Sequence, residues 1–177
     1  SSTFFKKNDI YLDYASSIPV DRRVLKILYR LERNIYANPS SIHRLGVEAR
    51  KLLDGARTKI ARLIGVTSEE VYFTASGTES NNVVIHGVVS AYDGDGVPHI
   101  ITSKIEHSSV LEVCRELERS GKASITYVDV DKEGIVSVDE VENALKDETV
   151  LVSIMSANNE IGTIQPINKI SKIISKY

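Results

Sequence analysis

Three short polar clusters hold the residue types that can grip or act on a small, anionic, planar ligand. Ala75-Ser76-Gly77-Thr78-Glu79-Ser80 sets a glycine and three hydroxyls at the expected start of a helix. The first N–H groups of a helix have no partner inside it, and Gly77 lets a ligand approach the backbone, so this cluster can cradle a phosphate. The same residues also spell a Ser76 helix cap with a capping-box acid at Glu79, and spacing alone does not separate the two readings. The cluster is neither G-x-G-x-x-G nor a P-loop, so a dinucleotide or a nucleoside triphosphate lacks its motif. Lys104-Ile105-Glu106-His107-Ser108-Ser109 offers His107, an imidazole that can stack on a planar ligand, shuttle protons near neutral pH, or simply cap a helix. Ser156-Ala157-Asn158-Asn159-Glu160-Ile161-Gly162 offers two amides and an acid, suited to hydrogen-bonding a ring substituent or to making the turn before Pro166.

The elements that must position these clusters are legible from periodicity. Val24, Ile27, Leu28, Leu31 and Ile35 recur at helical spacing after Asp21, and Leu45, Ala49, Leu52, Ala56, Ile60 and Leu63 repeat the pattern until Gly65 stops it. Between these two amphipathic helices, Ala37-Asn38-Pro39-Ser40-Ser41 reads as an ordered loop rather than a flexible linker. From Glu70 onward, short apolar runs alternate with helical stretches. Strands are expected at Val71 to Thr74, His99 to Ser103, Ser124 to Val128 and Val150 to Met155. Helices are expected at Thr78 to Ala91, Ser108 to Glu118, Val138 to Leu145 and after Pro166. That alternation predicts an α/β fold, a mainly parallel sheet flanked by helices. In such a sheet, ligands bind beyond the carboxyl ends of the strands, and all three polar clusters fall there, on one face. Cys114 shares an apolar helical stripe with Val110, Leu111 and Leu117, which makes it a core residue rather than a reactive thiol.

Composition narrows the function classes. The 177 residues are 42% hydrophobic, 26% charged and 6% aromatic, which is globular composition with a single compact domain as the default. Twenty-two basic against 24 acidic residues leave a net charge of −2, with no basic surface to attract nucleic acid or an anionic membrane. A single cysteine excludes an internal disulfide framework and a multi-cysteine metal site, and fits a reducing compartment. No metal site is expected. No apolar run approaches the ~20 residues of a spanning helix. Ser1 to Ile10 is polar, with Lys6 and Lys7, and lacks an apolar signal core, so secretion is not expected; the opening serine suggests a processed or recombinant start.

Taken together, Tyr11-Leu12-Asp13-Tyr14-Ala15, Asn38-Pro39-Ser40-Ser41-Ile42-His43, Phe73 to Asn82, Ile100 to His107 and Asn158-Asn159-Glu160-Ile161-Gly162 resemble the cysteine desulfurase family. This is a branch of the pyridoxal phosphate (PLP) dependent class V aminotransferases, and the resemblance runs from Ile10 to the end of the chain with the motifs in family order. It implies that Gly77 and Thr78 bind the PLP phosphate, that His107 stacks on the pyridine ring and assists proton transfer, and that Asn159 contacts the ring hydroxyl. It further implies removal of sulfur from L-cysteine or a related amino acid, giving alanine and an enzyme persulfide for iron–sulfur cluster or thio-cofactor assembly. The implied partners are a sulfur-acceptor or scaffold protein and a second copy in a homodimer, in the cytoplasm or, in a eukaryote, the mitochondrial matrix. Residues 1–20 are expected on the small-domain side, and residues 21–177 as the first part of an incomplete fold-type-I large domain.

Three family parts have no counterpart in this sequence: the aspartate paired with the pyridine nitrogen, the lysine that attaches PLP, and the persulfide cysteine. A missing C-terminal part or a second polypeptide is therefore expected, and these residues alone are not expected to catalyse. Ser17-Ile18 stands where the family usually has two threonines, and Ser156-Ala157 where a histidine is common. The resemblance also implies that Val71 to Thr74 lies apart from the later strands, separated by strands that come after Tyr177, and so cannot pair with them. Two other readings remain: a non-catalytic remnant or split subunit that binds or assembles, and an unrelated phosphate-binding α/β module.

Overall fold

The computed structural model describes residues 10–14 and 16–177, which divide after Phe73 into two compact units. Residues 1–9 and Ala15, part of the expected N-terminal segment and of its Tyr11 to Ala15 motif, lie outside the described residues.

The first unit is helical. Helix α1 (Arg22–Asn34) starts where the Asp21 carboxylate accepts the Arg23 N–H, and α2 (Arg44–Ile64) starts where His43 Nδ1 accepts the Gly46 N–H at 3.3 Å. Gly65 ends α2 in the left-handed conformation, at φ 76°, which the absence of a Cβ makes accessible. The loop between the helices is ordered, as its sequence predicts. Asn38 Oδ1 accepts the Ser40 N–H at 2.8 Å, and Arg50 donates to the Pro39 carbonyl at 3.1 Å. Gly46 is what lets α2 lie against this loop, because a Cβ there would run into the Ser41 backbone. The stripe of α1 is helical as predicted, but none of its residues is buried; Val24, Leu25, Ile27 and Leu28 are all exposed.

The second unit is a three-layered α/β arrangement. Its elements are α3 (Gly77–Ala91), β1 (His99–Ser103), α4 (Ser108–Arg119), β2 (Ser124–Val128), α5 (Val138–Ala144), β3 (Thr149–Ser153) and α6 (Ile167–Ile174). The three strands are parallel in the order β2-β1-β3, with a register irregularity between His99 and Ile100 on the β3 side. Ile85, Ile100, Val110, Val113, Cys114 and Leu117 form one core cluster, while Ile101, Val128, Val136, Val141 and Ile170 form another. Ile100 and Ile101 point to opposite faces of the pleat, so one strand supplies both.

One expected strand is absent. Val71 to Thr74 has the β-branched and aromatic composition of a strand but pairs with none of the three. The Val71 carbonyl instead accepts the Arg57 guanidinium, which also lies 4.9 Å from the Phe73 ring centroid. That carbonyl is bonded within the first unit, to a side chain of α2, rather than to a strand ladder. The last expected strand also ends two residues early, at Ser153.

His99 opens the central strand and is 1% exposed. Its Nδ1 is 2.8 Å from Thr149 Oγ1 in β3 and its Nε2 is 2.8 Å from Thr126 Oγ1 in β2, so one imidazole laces all three strands. Burial, helped by Lys146, holds its pKa below the ordinary 6.5. The unfolded chain therefore takes up a proton more readily than the folded one as the pH falls below 6.5. Stability is expected to drop through that range in urea unfolding, and a His99→Asn variant is expected to show a shallower drop between pH 7 and 5; equal slopes would remove His99 as the cause.

Candidate functional site

Because the strands are parallel, their carboxyl ends share one edge of the sheet, and the loops after β1 and β3 leave from it. The loop after β1 carries His107 and the loop after β3 carries Asn159. The helix-start cluster at Ser76 to Ser80 reaches the same neighbourhood through α3, since Asn81, the residue after Ser80, donates through Nδ2 to Ser109 Oγ at 2.8 Å in the first turn of α4.

At the start of α3, the helix-cap reading is observed directly, and it leaves the donors that the phosphate reading needs unoccupied. Ser76 caps the helix by accepting the Glu79 N–H at 3.2 Å, and the Glu79 carboxylate folds back to accept the Ala75 N–H at 2.6 Å. Thr74 Oγ1 and Ser80 Oγ add a 2.6 Å bond. Among the described residues, nothing accepts from the Gly77 N–H, the Thr78 N–H or the Thr78 hydroxyl. Gly77 does not adopt positive φ, and a Cβ built on it meets nothing within 4 Å. The protein's own packing thus gives no reason for glycine there, whereas an anion resting on the backbone would. The donor set fits a phosphate group.

His107 is the N-cap of α4. Its Nδ1 accepts the Ser109 N–H at 3.1 Å and lies 2.8 Å from Ser109 Oγ. A backbone N–H can only donate, so Nδ1 is the acceptor and this bond assigns the proton of the neutral ring to Nε2. His107 is exposed, and among the described residues its Nε2 makes no hydrogen bond. Asn159 is exposed too, its Nδ2 donating only to the neighbouring Glu160 at 3.0 Å. An open groove of about 570 Å3 runs down α3 and α4 from Thr78 past Ser109 to Lys122, but it includes neither His107 nor Asn159.

Two residues that the sequence marks only as cluster members turn out to organise the site. Glu106 is buried, and its Oε1 accepts both Ser103 Oγ at 2.7 Å and the Met155 N–H at 2.9 Å. Burial pushes its carboxyl above the usual carboxylate range, against the pull of those two bonds. Asn158 is buried with Nδ2 3.1 Å from the Ile105 carbonyl, while its Oδ1 accepts the N–H groups of Glu160 and Ile161. Buried Gln165 holds the far end of the same loop, accepting from Val136 N–H at 2.9 Å and donating to the Gly134 carbonyl at 2.7 Å. The clue in the sequence was an acid and an amide each directly preceding a candidate ligand residue; their partners lie about fifty residues away and were invisible. Cys114 is fully buried, its thiol pushed up to about 11 by burial with Glu106 and Glu118 adding to it, as a core cysteine should be.

Comparison with known proteins supplies the family. The aminotransferase class-V family model matches residues 10–177, and the chain belongs to that family. Its relatives are named as cysteine desulfurases. It is 49% identical over 171 residues to cysteine desulfurase IscS of Dictyoglomus turgidum, covering 97% of this chain and 43% of that protein. It is 46% identical over 168 residues to the putative cysteine desulfurase IscS 1 of Bacillus subtilis, covering 95% and 44%. Among solved structures, a NifS-like protein superimposes with TM-score 0.87 at 40% identity, over 92% of this chain and 44% of that one. SspA in complex with cysteine gives 0.88 at 37% identity, over 94% and 47%. The chain spans under half the length of these relatives.

A Gly77→Ala variant is expected to keep or raise stability, by up to about 1 kcal/mol through lost unfolded-state freedom, while weakening the uptake of inorganic phosphate. Thermal melts with and without phosphate check this; equal phosphate stabilisation of both proteins would show that the ligand does not rest on Gly77.

Proposed function

We propose that this chain is the cofactor-holding part of a cysteine desulfurase, working with PLP. The reading rests on 49% identity across 97% of the chain to a protein of that name, together with four ligand-ready residues on one folded unit. In it, the Gly77 and Thr78 N–H groups and the Thr78 hydroxyl hold the phosphate at the start of α3. The imidazole of His107, fixed by its bond to Ser109, stacks on the ring with Nε2 available to hold or pass a proton. Asn159 donates to the ring hydroxyl. PLP supplies an electron sink for the substrate amine.

The net reaction moves the sulfur of L-cysteine to an enzyme cysteine as a persulfide and leaves alanine. Buried, high-pKa Cys114 does not serve as that nucleophile, because attack needs an accessible thiolate. The nucleophile, the PLP-attaching lysine and the aspartate beside the pyridine nitrogen come from sequence outside these 177 residues, in a complete protein that acts as a homodimer and hands sulfur to an acceptor or scaffold protein. Among the described residues no helix is long and apolar enough to cross a membrane, and the reading places the enzyme in the cytoplasm.

The test is PLP uptake by the complete protein, followed by absorbance, and alanine release from L-cysteine. Thr78→Ala is expected to raise the PLP dissociation constant about tenfold, since a hydrogen bond to a charged group contributes about 1.5 kcal/mol or more. An unchanged constant would overturn the phosphate assignment. Cys114→Ala is expected to leave persulfide formation intact in a protein whose circular dichroism is unaltered; loss of persulfide with the fold retained would make Cys114 the nucleophile after all.

A further inference from the structure

His107 and Asn159 sit on different loops, 52 positions apart, and each directly follows a buried polar residue, Glu106 or Asn158, that is 8% exposed. Those buried neighbours reach in opposite directions. The Glu106 carboxylate leaves the β1 loop and takes the Met155 N–H at 2.9 Å, three residues ahead of Asn158. The Asn158 amide leaves the β3 loop and gives its Nδ2 to the Ile105 carbonyl at 3.1 Å, one residue ahead of Glu106. One such bond would let the loops pivot about it; two, running opposite ways, fix both their spacing and their relative rotation. Each clamp residue is itself held in place, Glu106 by Ser103 Oγ at 2.7 Å and Asn158 by the Glu160 and Ile161 N–H groups at 2.9 and 3.1 Å.

We infer that Glu106 and Asn158 are paired positioning residues, a reciprocal clamp that sets the separation between His107 and Asn159 and so fits both to a single planar cofactor ring. The inference rests on the PLP reading above and adds to it the device that holds the ring contacts in register. Neither residue is bonded to the phosphate cradle, whose helix is fastened through Asn81 to Ser109, the residue that also anchors His107. A stacking contact and a hydrogen bond to the same ring both depend on sub-ångström placement, and misplacement of about 1 Å can cost on the order of a hundredfold in function.

The experiment compares Glu106→Ala, Glu106→Gln and Asn158→Ala in the complete protein by three readouts: hydrogen exchange of the peptide containing the Met155 amide without cofactor, affinity for inorganic phosphate, and the affinity and absorption maximum of PLP. For Glu106→Ala and Asn158→Ala the expected result is faster exchange confined to the two loops, unchanged phosphate affinity, PLP affinity lower by about tenfold, and a shifted absorption maximum. Glu106→Gln is expected to restore all three, because an amide oxygen accepts the same two bonds as the carboxylate. A plain packing role would also be rescued by Gln, which keeps the same volume, but in the Ala variants it would lower phosphate and PLP affinity together; that joint loss would overturn the clamp. If Glu106→Ala does not fold, Glu106→Asp is read in the same way, its shorter side chain being unable to span both donors. Wild-type PLP affinity and spectrum in a folded Ala or Asp variant would overturn the clamp. Absence of PLP uptake by the unsubstituted protein would instead overturn the cofactor reading, and the clamp's assigned purpose with it.

Discussion

A strand buried on both faces can keep polar side chains only where each finds a partner, and β1 keeps three of them: His99, Thr102 and Ser103. His99 is met from both sides by threonines, Thr102 Oγ1 donates to the Ser153 carbonyl at 2.9 Å, and Ser103 donates to Glu106. Among the described residues no buried side-chain nitrogen or oxygen is left without a partner. These bonds make the register costly to change, because a slip of one residue would turn His99 away from Thr126 and Thr149 and leave its nitrogens unpaired in the core. Register in turn decides where each strand ends, and the loops bearing His107 and Asn159 begin at those ends. The polar stitching of β1 therefore governs the site at one edge of the sheet from the opposite edge as well as from its own.

Much of this was legible in the amino-acid order, for definite reasons. Helices α3 to α6 and strands β1 to β3 were readable because their apolar faces meet a core, so the period of burial is also the period of the sequence. Val71 to Thr74 misled because β-propensity measures how well a side chain fits a pleated, half-buried surface, and says nothing about whether a neighbouring strand is there to supply it. The division after Phe73 leaves no Pro- or Gly-rich mark, and it follows the distribution of contacts rather than local composition.

The candidate site was legible in the same partial way. Gly77, Thr78, His107 and Asn159 stood out as polar residues at the ends of apolar runs, where a parallel sheet gathers its ligands. Glu106 and Asn158 stood beside them without distinction, since their burial and their cross-loop partners are tertiary facts. The cap at Ser76 shows why local spacing could not choose between a structural and a binding role: the side chains cap the helix while the backbone donors of Gly77 and Thr78 stay open. The cap occupies one set of atoms in this motif and leaves another set free.

Cys114 lies at the centre of the cluster formed by Ile85, Ile100, Val113 and Leu117, and no other cysteine competes with it in this sequence. Its thiol is sealed from reagents while that cluster is closed. Alkylation at this position therefore acts as a clock for transient opening of the sheet and its two covering helices, with each tenfold slowing equal to about 1.4 kcal/mol of added opening free energy when closing outpaces modification. A thiol buried for packing thus becomes an internal gauge of local breathing, readable by mass.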